Sequence, residues 1–200
     1  MANFPYRKTE YRGFMNPFWI EPAKKDVMGY KLTGVKAGDV IPQGTPIKTD
    51  EAAKTAVICK YAHVLAVDTD KKTLTVTRGH FFDKSTKCAI SNGGTLTQLS
   101  LSSVEDDKIV LSAANSTIKA GDVLVEVSTS GESTVTPVAV PNRIVAAEAE
   151  IDELHDTCSA THAAVVLQNV VHYPKEYLNE TAFPGSMLLA GCPTILFTIQ

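Results

Sequence analysis

The densest run of reactive side chains in this 200-residue sequence is His155-Asp156-Thr157-Cys158-Ser159-Ala160-Thr161-His162. Two chemistries use such residues. A cysteine beside a histidine is a nucleophile with its base, the arrangement of a Cys/His-dependent hydrolase. Histidines, an aspartate and a cysteine are also the ligand types of zinc. The spacing argues against both. Structural zinc generally takes four ligands in paired close spacings, and here there is one cluster. A catalytic pair must converge in space, whereas side chains this close along a chain mostly diverge. The stretch reads as a polar loop, with no catalytic residue, metal ligand or cofactor expected in it.

The remaining candidates are isolated. His80 lies between Arg78-Gly79 and Phe81-Phe82, which suits a packed, hydrogen-bonded histidine better than a ligand. His63 and His172 fall inside strand-like runs and read the same way. The phosphate-cradling patterns GxxxxGK and GxGxxG are absent, as are GxSxG and HExxH. The four cysteines, Cys59, Cys88, Cys158 and Cys192, are scattered without a CxxC. They are expected to be buried thiols of a cytosolic product, not a disulfide framework. The opening MANFPYRKTEYRGFMNPFWIEP has neither the apolar core nor the small-residue cleavage site of a secretory signal.

The elements that would position these residues are mostly strands. Residues 56–67 (AVICKYAHVLAV) are rich in β-branched side chains, and 73–78 (TLTVTR) alternate cleanly across the polar turn DTDKK, predicting a hairpin. Asn92-Gly93-Gly94 marks a second turn, and 109–111, 123–127 and 135–140 continue the β pattern. One helix is expected, at 144–155 (IVAAEAEIDELH), with Ile144, Val145, Ile151 and Leu154 on one face. The tetrapeptide KAGD occurs at 36–39 and again at 119–122, each time between apolar residues. Glycine supplies an unusual backbone angle and aspartate can bond nearby backbone, so KAGD reads as an efficient turn used twice. Two copies fall short of a repeat array, and duplication of a small β module is the alternative reading.

Residues 1–29 differ from the rest. Phe4, Tyr6, Tyr11, Phe14, Phe18 and Trp19 are mixed with Arg7, Lys8 and Arg12, and Pro5, Pro17 and Pro22 interrupt any regular element. This composition predicts an extended N-terminal arm, whose rings must bury on the chain's own domain or on a neighbour. The contact set expected is Phe4, Tyr6, Arg7, Tyr11, Arg12, Phe14, Phe18 and Trp19. The whole is mainly β: an arm over 1–29, a module over 30–103 and a second over 104–200 carrying the helix, each barrel-like or sandwich-like. With a net charge of −3 and no basic block, nucleic acid is not an expected partner. No run approaches the roughly 20 apolar residues that span a bilayer, so a membrane is not expected either.

The order of segments carries a resemblance. An aromatic arm, then AGDVIPQGTPIKTD, AVICKYAHVLAV and TLTVTRGHFFDKS, resembles the head decoration and head fibre proteins of tailed bacteriophages. The shared features fall on Pro46 and Ile47, on Val64, Leu65 and Ala66, and on 76–79, and TPVAVPNRIVA at 136–146 is similar to segments of head fibre proteins. Val64 stands where decoration proteins commonly carry glycine. The resemblance implies a non-enzymatic virion protein made in the host bacterial cytoplasm and attached to the capsid surface. Its implied partners are the major capsid protein and itself, as a homotrimer. A Cys/His hydrolase or zinc protein built on 155–162, and a carbohydrate-binding β module using exposed aromatics, are the alternatives.

Overall fold

The computed structural model describes residues 18–19, 29–92, 95–130, 134–160, 171–174 and 195–198. These hold eighteen strands. The first five are β1 (Phe18–Trp19), β2 (Tyr30–Thr33), β3 (Val40–Ile41), β4 (Pro46–Asp50) and β5 (Thr55–Ile58). Next come β6 (Tyr61–Val67), β7 (Thr73–Val76), β8 (Cys88–Asn92), β9 (Thr95–Leu99), β10 (Leu101–Val104) and β11 (Lys108–Leu111). The last seven are β12 (Val123–Ser130), β13 (Thr134–Pro137), β14 (Arg143–Ile144), β15 (Ala149–Glu150), β16 (Thr157–Cys158), β17 (Val171–Pro174) and β18 (Ile195–Thr198). The mainly β reading therefore holds.

Two curled, barrel-like sheets organise the chain, and a short device brings the edges of each together. The first runs β14-β4-β5-β2-β16. Just beyond its two edge strands, Val145 bridges Ala160, and the Ala146 N–H donates to the Ser159 carbonyl at 2.8 Å, so the edges meet. Inside lie Tyr30, Leu32, Ile41, Ile47, Ala56, Ile58, Val145, Ile151, Cys158 and Ala160. The second sheet runs β10-β11-β7-β6-β12-β8-β9, with β13 also on β12. Its first and last strands are separated in sequence by Ser100 alone, so the chain itself forces the sheet to roll. Its interior is filled by Ala62, Val64, Leu74, Val76, Phe82, Cys88, Ile90, Leu99, Ile109, Leu111, Ile118 and Leu124.

The second barrel is inserted into the first. Strands β2, β4 and β5 build one side of the first barrel, β6–β13 make the second, and the chain then returns with β14 and β16, while β3 and β15 pair as a separate two-stranded sheet packed on the first core. The 103/104 boundary expected from the sequence falls inside β10, and strands from both sides of it interleave in both sheets. The long apolar run at 56–67 is likewise split: it is β5 and β6, and the two residues between them, Cys59 and Lys60, carry the chain from one sheet to the other.

The expected helix at 144–155 is not present. Ile144 belongs to β14, Val145 to the closing bridge and Ala149–Glu150 to β15, followed by a turn at 152–155. Backbone groups that a helix would pair internally go to residues distant in sequence. Val145 N–H donates to the Thr45 carbonyl (2.9 Å), and Ile151 N–H to the Asp39 carbonyl (2.9 Å). The helix propensity of AAEAE is worth a few tenths of a kcal/mol per residue, whereas burying Ile144, Val145 and Ile151 is worth on the order of 1.5–3 kcal/mol each. Leu154, expected on the buried face, is 87% exposed.

Candidate functional site

The described part of the reactive run, 155–160, is not a polar loop but is split between a turn and β16, because Cys158 and Ala160 are buried in the first core. Asp152 accepts the N–H of Leu154 (2.8 Å) and of His155 (2.7 Å), and its carboxylate also lies 2.9 Å from His155 Nδ1. These contacts, the His155 ring foremost, hold the Asp152 carboxyl below its usual range. The result is a rigid, solvent-facing turn that presents Leu154 and His155 outward. Asp156 then forms an ion pair with Lys31 at 3.2 Å. One residue on, the chain enters β16, which pairs with Lys31 and Tyr30, and Cys158 turns into the first barrel's core. Burial pushes its thiol up to about 11. A buried neutral thiol facing away from the exposed His155 is not an activated nucleophile. His162 lies outside the described residues.

The other cysteines and histidines are structural where described. Cys59 is buried, and Cys88 sits inside the second barrel, its thiol pushed up to about 12 by burial. His80 accepts the Phe82 N–H at Nδ1 (3.0 Å) and faces the Glu105 carbonyl with Nε2 (3.1 Å), which fixes the Nε2–H tautomer. His63 stacks edge-on to Tyr61 at 5.9 Å, and burial lowers its pKa to about 4. Its Nε2 has no hydrogen-bond partner among the described residues. His172 lies in β17, and Cys192 lies outside the described residues. Among the described residues, no group of three His, Cys, Asp or Glu could hold a metal ion, and no helix is long and apolar enough to cross a membrane.

Of the expected arm contacts, Phe4, Tyr6, Arg7, Tyr11, Arg12 and Phe14 lie outside the described residues. Phe18 and Trp19 form β1, which pairs antiparallel with β17 of the same chain: Phe18 opposite His172, Trp19 opposite Val171. At that point the arm's backbone is bound to its own protein.

A polar cluster that sequence reasoning missed caps one end of the first barrel. The Tyr30 hydroxyl donates to Glu51 Oε1 (2.5 Å), Lys54 Nζ contacts Glu51 Oε2 (2.9 Å) and lies 5.3 Å above the Tyr30 ring, and Arg143 Nη2 is 3.5 Å from Glu51 Oε1. The Tyr30 hydrogen bond, then Lys54, keeps the Glu51 carboxyl below its usual range. Chemically this is a stabilised carboxylate flanked by cations, which ties β2, β14 and the turn at 51–54 together. Tyr30, Glu51 and Arg143 are distant in sequence, so no local pattern announces them. No family model, curated protein or solved structure matches the chain.

Proposed function

We propose that this chain is a non-enzymatic structural protein of a tailed-phage virion, attached to the capsid surface as a head decoration or as the base of a head fibre. The segment order and the residues at 46–47, 64–66, 76–79 and 136–146 support it. The observation that carries the reading is where the reactive side chains lie. Cys88 and Cys158 are core thiols, His80 is locked by two hydrogen bonds, and His155 is held in a turn. Those groups stabilise two small barrels, one inserted in the other, a rigid form suited to scaffolding.

On this reading the partners are the major capsid protein and two further copies of the chain, in a homotrimer. The aromatic and basic residues Phe4, Tyr6, Arg7, Tyr11, Arg12 and Phe14 are the docking arm. Because Phe18 and Trp19 pair with β17, the informative truncation removes residues 1–17 and leaves β1 in place. The purified protein is mixed with heads assembled from the major capsid protein of the phage or prophage that encodes it. Saturable co-sedimentation of the full chain is expected, with binding lost and folding kept in the truncated form. Failure of the intact protein to bind such heads overturns the proposal, and a monomer by light scattering overturns the trimer.

A further inference from the structure

The two barrels meet at three consecutive residues. Phe81 packs against the first barrel's core, while Phe82 lies within the second. An extended backbone would also send adjacent side chains to opposite sides, but this one does not run extended. Here Phe81 adopts φ +57°, a left-handed conformation that a bulky residue avoids unless its surroundings impose it. What imposes it is His80. Its Nδ1 accepts the Phe82 N–H at 3.0 Å, its Nε2–H reaches the Glu105 carbonyl at 3.1 Å, and its ring lies 5.2 Å from that of Phe82.

We propose that His80 is an acid-sensitive latch that holds Phe81 and Phe82 across the two barrels and releases them when its ring is protonated. The argument is one of donors and acceptors. Nδ1 is the ring nitrogen that carries no proton in this tautomer. Once it carries one, an N–H faces the Phe82 N–H, donor against donor, and that bond cannot persist. The buried amide is left without its partner and the left-handed turn at Phe81 without its brace. Relaxation of Phe81 toward negative φ withdraws its ring from the first core.

The charged groups around the ring are few. Burial lowers the ring's pKa, outweighing the hydrogen bond to the Glu105 carbonyl and the charge of Asp106, in the turn after β10, both of which favour the protonated form. Arg78 and Asp107 are engaged with each other at 3.1 Å, and the Asp83 carboxylate is held by Ser85 and Thr86. The latch is therefore closed at neutral pH and opens on the acid side of the usual imidazole range. This holds whether or not the protein docks on a capsid.

The test monitors the His80 ring and the Phe82 amide by NMR in the full chain, which separates this titration from that of His63. As the His80 ring titrates, the Phe82 amide is expected to lose roughly tenfold in exchange protection, corrected for the intrinsic rate, while core amides of β7 and β12 keep theirs. His80→Asn retains an acceptor near the Phe82 N–H and does not titrate in this range, so the acid response should vanish. Unchanged Phe82 protection through the His80 titration overturns the proposal, as does the same acid loss in His80→Asn. The wild-type measurement decides alone if that variant does not fold.

Discussion

The KAGD at 36–39 and the KAGD at 119–122 make the same bonds in two different barrels. In each, the aspartate carboxylate accepts the lysine N–H, at 2.7 Å in Lys36–Asp39 and 2.8 Å in Lys119–Asp122. In each, the aspartate N–H closes the turn on the lysine carbonyl, and the glycine has φ +94° or +92°. The likeness continues beyond four residues. Gly38 and Asp39 exchange backbone bonds with Ile151, as Gly121 and Asp122 do with Val64. Ile41 opposite Ala149 corresponds to Leu124 opposite Ala62, each pair packed on its own core. The strands that leave the turns then diverge. β3 stops after two residues at Pro42, which has no N–H for a ladder. β12 runs for eight, flanked by β6 and β8, with Val123, Leu124, Val125 and Val127 buried on both faces. The turn is set by its own four residues, while the strand's length and covering are set by the residues beyond the aspartate and by the strands that flank them.

Truncating the matched core residues should break the comparison most widely. Ile41 and Leu124 are both fully buried. Leu124 lies in a strand held on both sides, so the surrounding wall cannot collapse into a cavity there. Leu124→Ala is expected to cost about 4 kcal/mol and Ile41→Ala about 2–3 kcal/mol in chemical denaturation. Equal or reversed costs would mean that the two environments are not distinguished by strand pairing.

Acid should separate the barrels next. The residue opposite Val40 is Glu150, which is exposed; the residue opposite Val123 is His63, which is 5% exposed. His63 titrates near 4 when folded against 6.5 in its ordinary state. The folded form therefore disfavours the proton. The stability that His63 contributes is complete above about pH 6.5 and falls as the pH drops toward 4, by roughly 3 kcal/mol in all. Subtracting the pH profile of His63→Leu from that of the wild type should leave this loss. A flat difference would show that His63 is hydrated or paired in solution.

Much of this pairing was legible and some was not, for physical reasons. Strands with a clean alternation or a dense β-branched run, such as β7, β11 and β12, announce themselves because burial on one or two faces leaves a periodic trace. The KAGD turns do so because their chemistry is local. The segment 144–155 misled, since its alanines and glutamates favour a helix while its partners Thr45, Asp39 and Ser159 lie far away or across a turn. The break at Cys59 and Lys60 left no trace, because a strand that changes sheets keeps its apolar composition. The divergence of His155 from Cys158 is what close spacing along a chain leads one to expect, but the inward turn of Cys158 depends on β2, which is more than a hundred residues earlier.

A smaller effect tests whether the two caps differ in strength. Asp122 is buried, whereas the Asp39 bond is exposed to solvent. Removing the carboxylate leaves a lysine N–H that water can reach at Lys36 but reaches poorly at Lys119. Asp122→Ala is expected to cost about 2 kcal/mol and Asp39→Ala about 1 kcal/mol by thermal or chemical unfolding. Similar values would show that water enters both turns alike.

The smallest effect should be the same in both barrels. At Gly38 and Gly121 a Cβ would meet nothing within 4 Å, so neither position excludes a side chain by crowding. What each requires is the positive φ, +94° and +92°. An alanine there is strained by its own Cβ against the following carbonyl, and the strain depends on the dihedral rather than on the barrel around it. Gly38→Ala and Gly121→Ala should therefore each cost about 1–2 kcal/mol and agree with each other to within about 0.5 kcal/mol. Agreement would identify the turn as a local unit that behaves identically in two settings. A much larger cost at Gly121 would mean that β12 transmits the distortion to its neighbours β6 and β8. In that event the eight-residue strand, and not the tetrapeptide, would be what holds the second turn in shape.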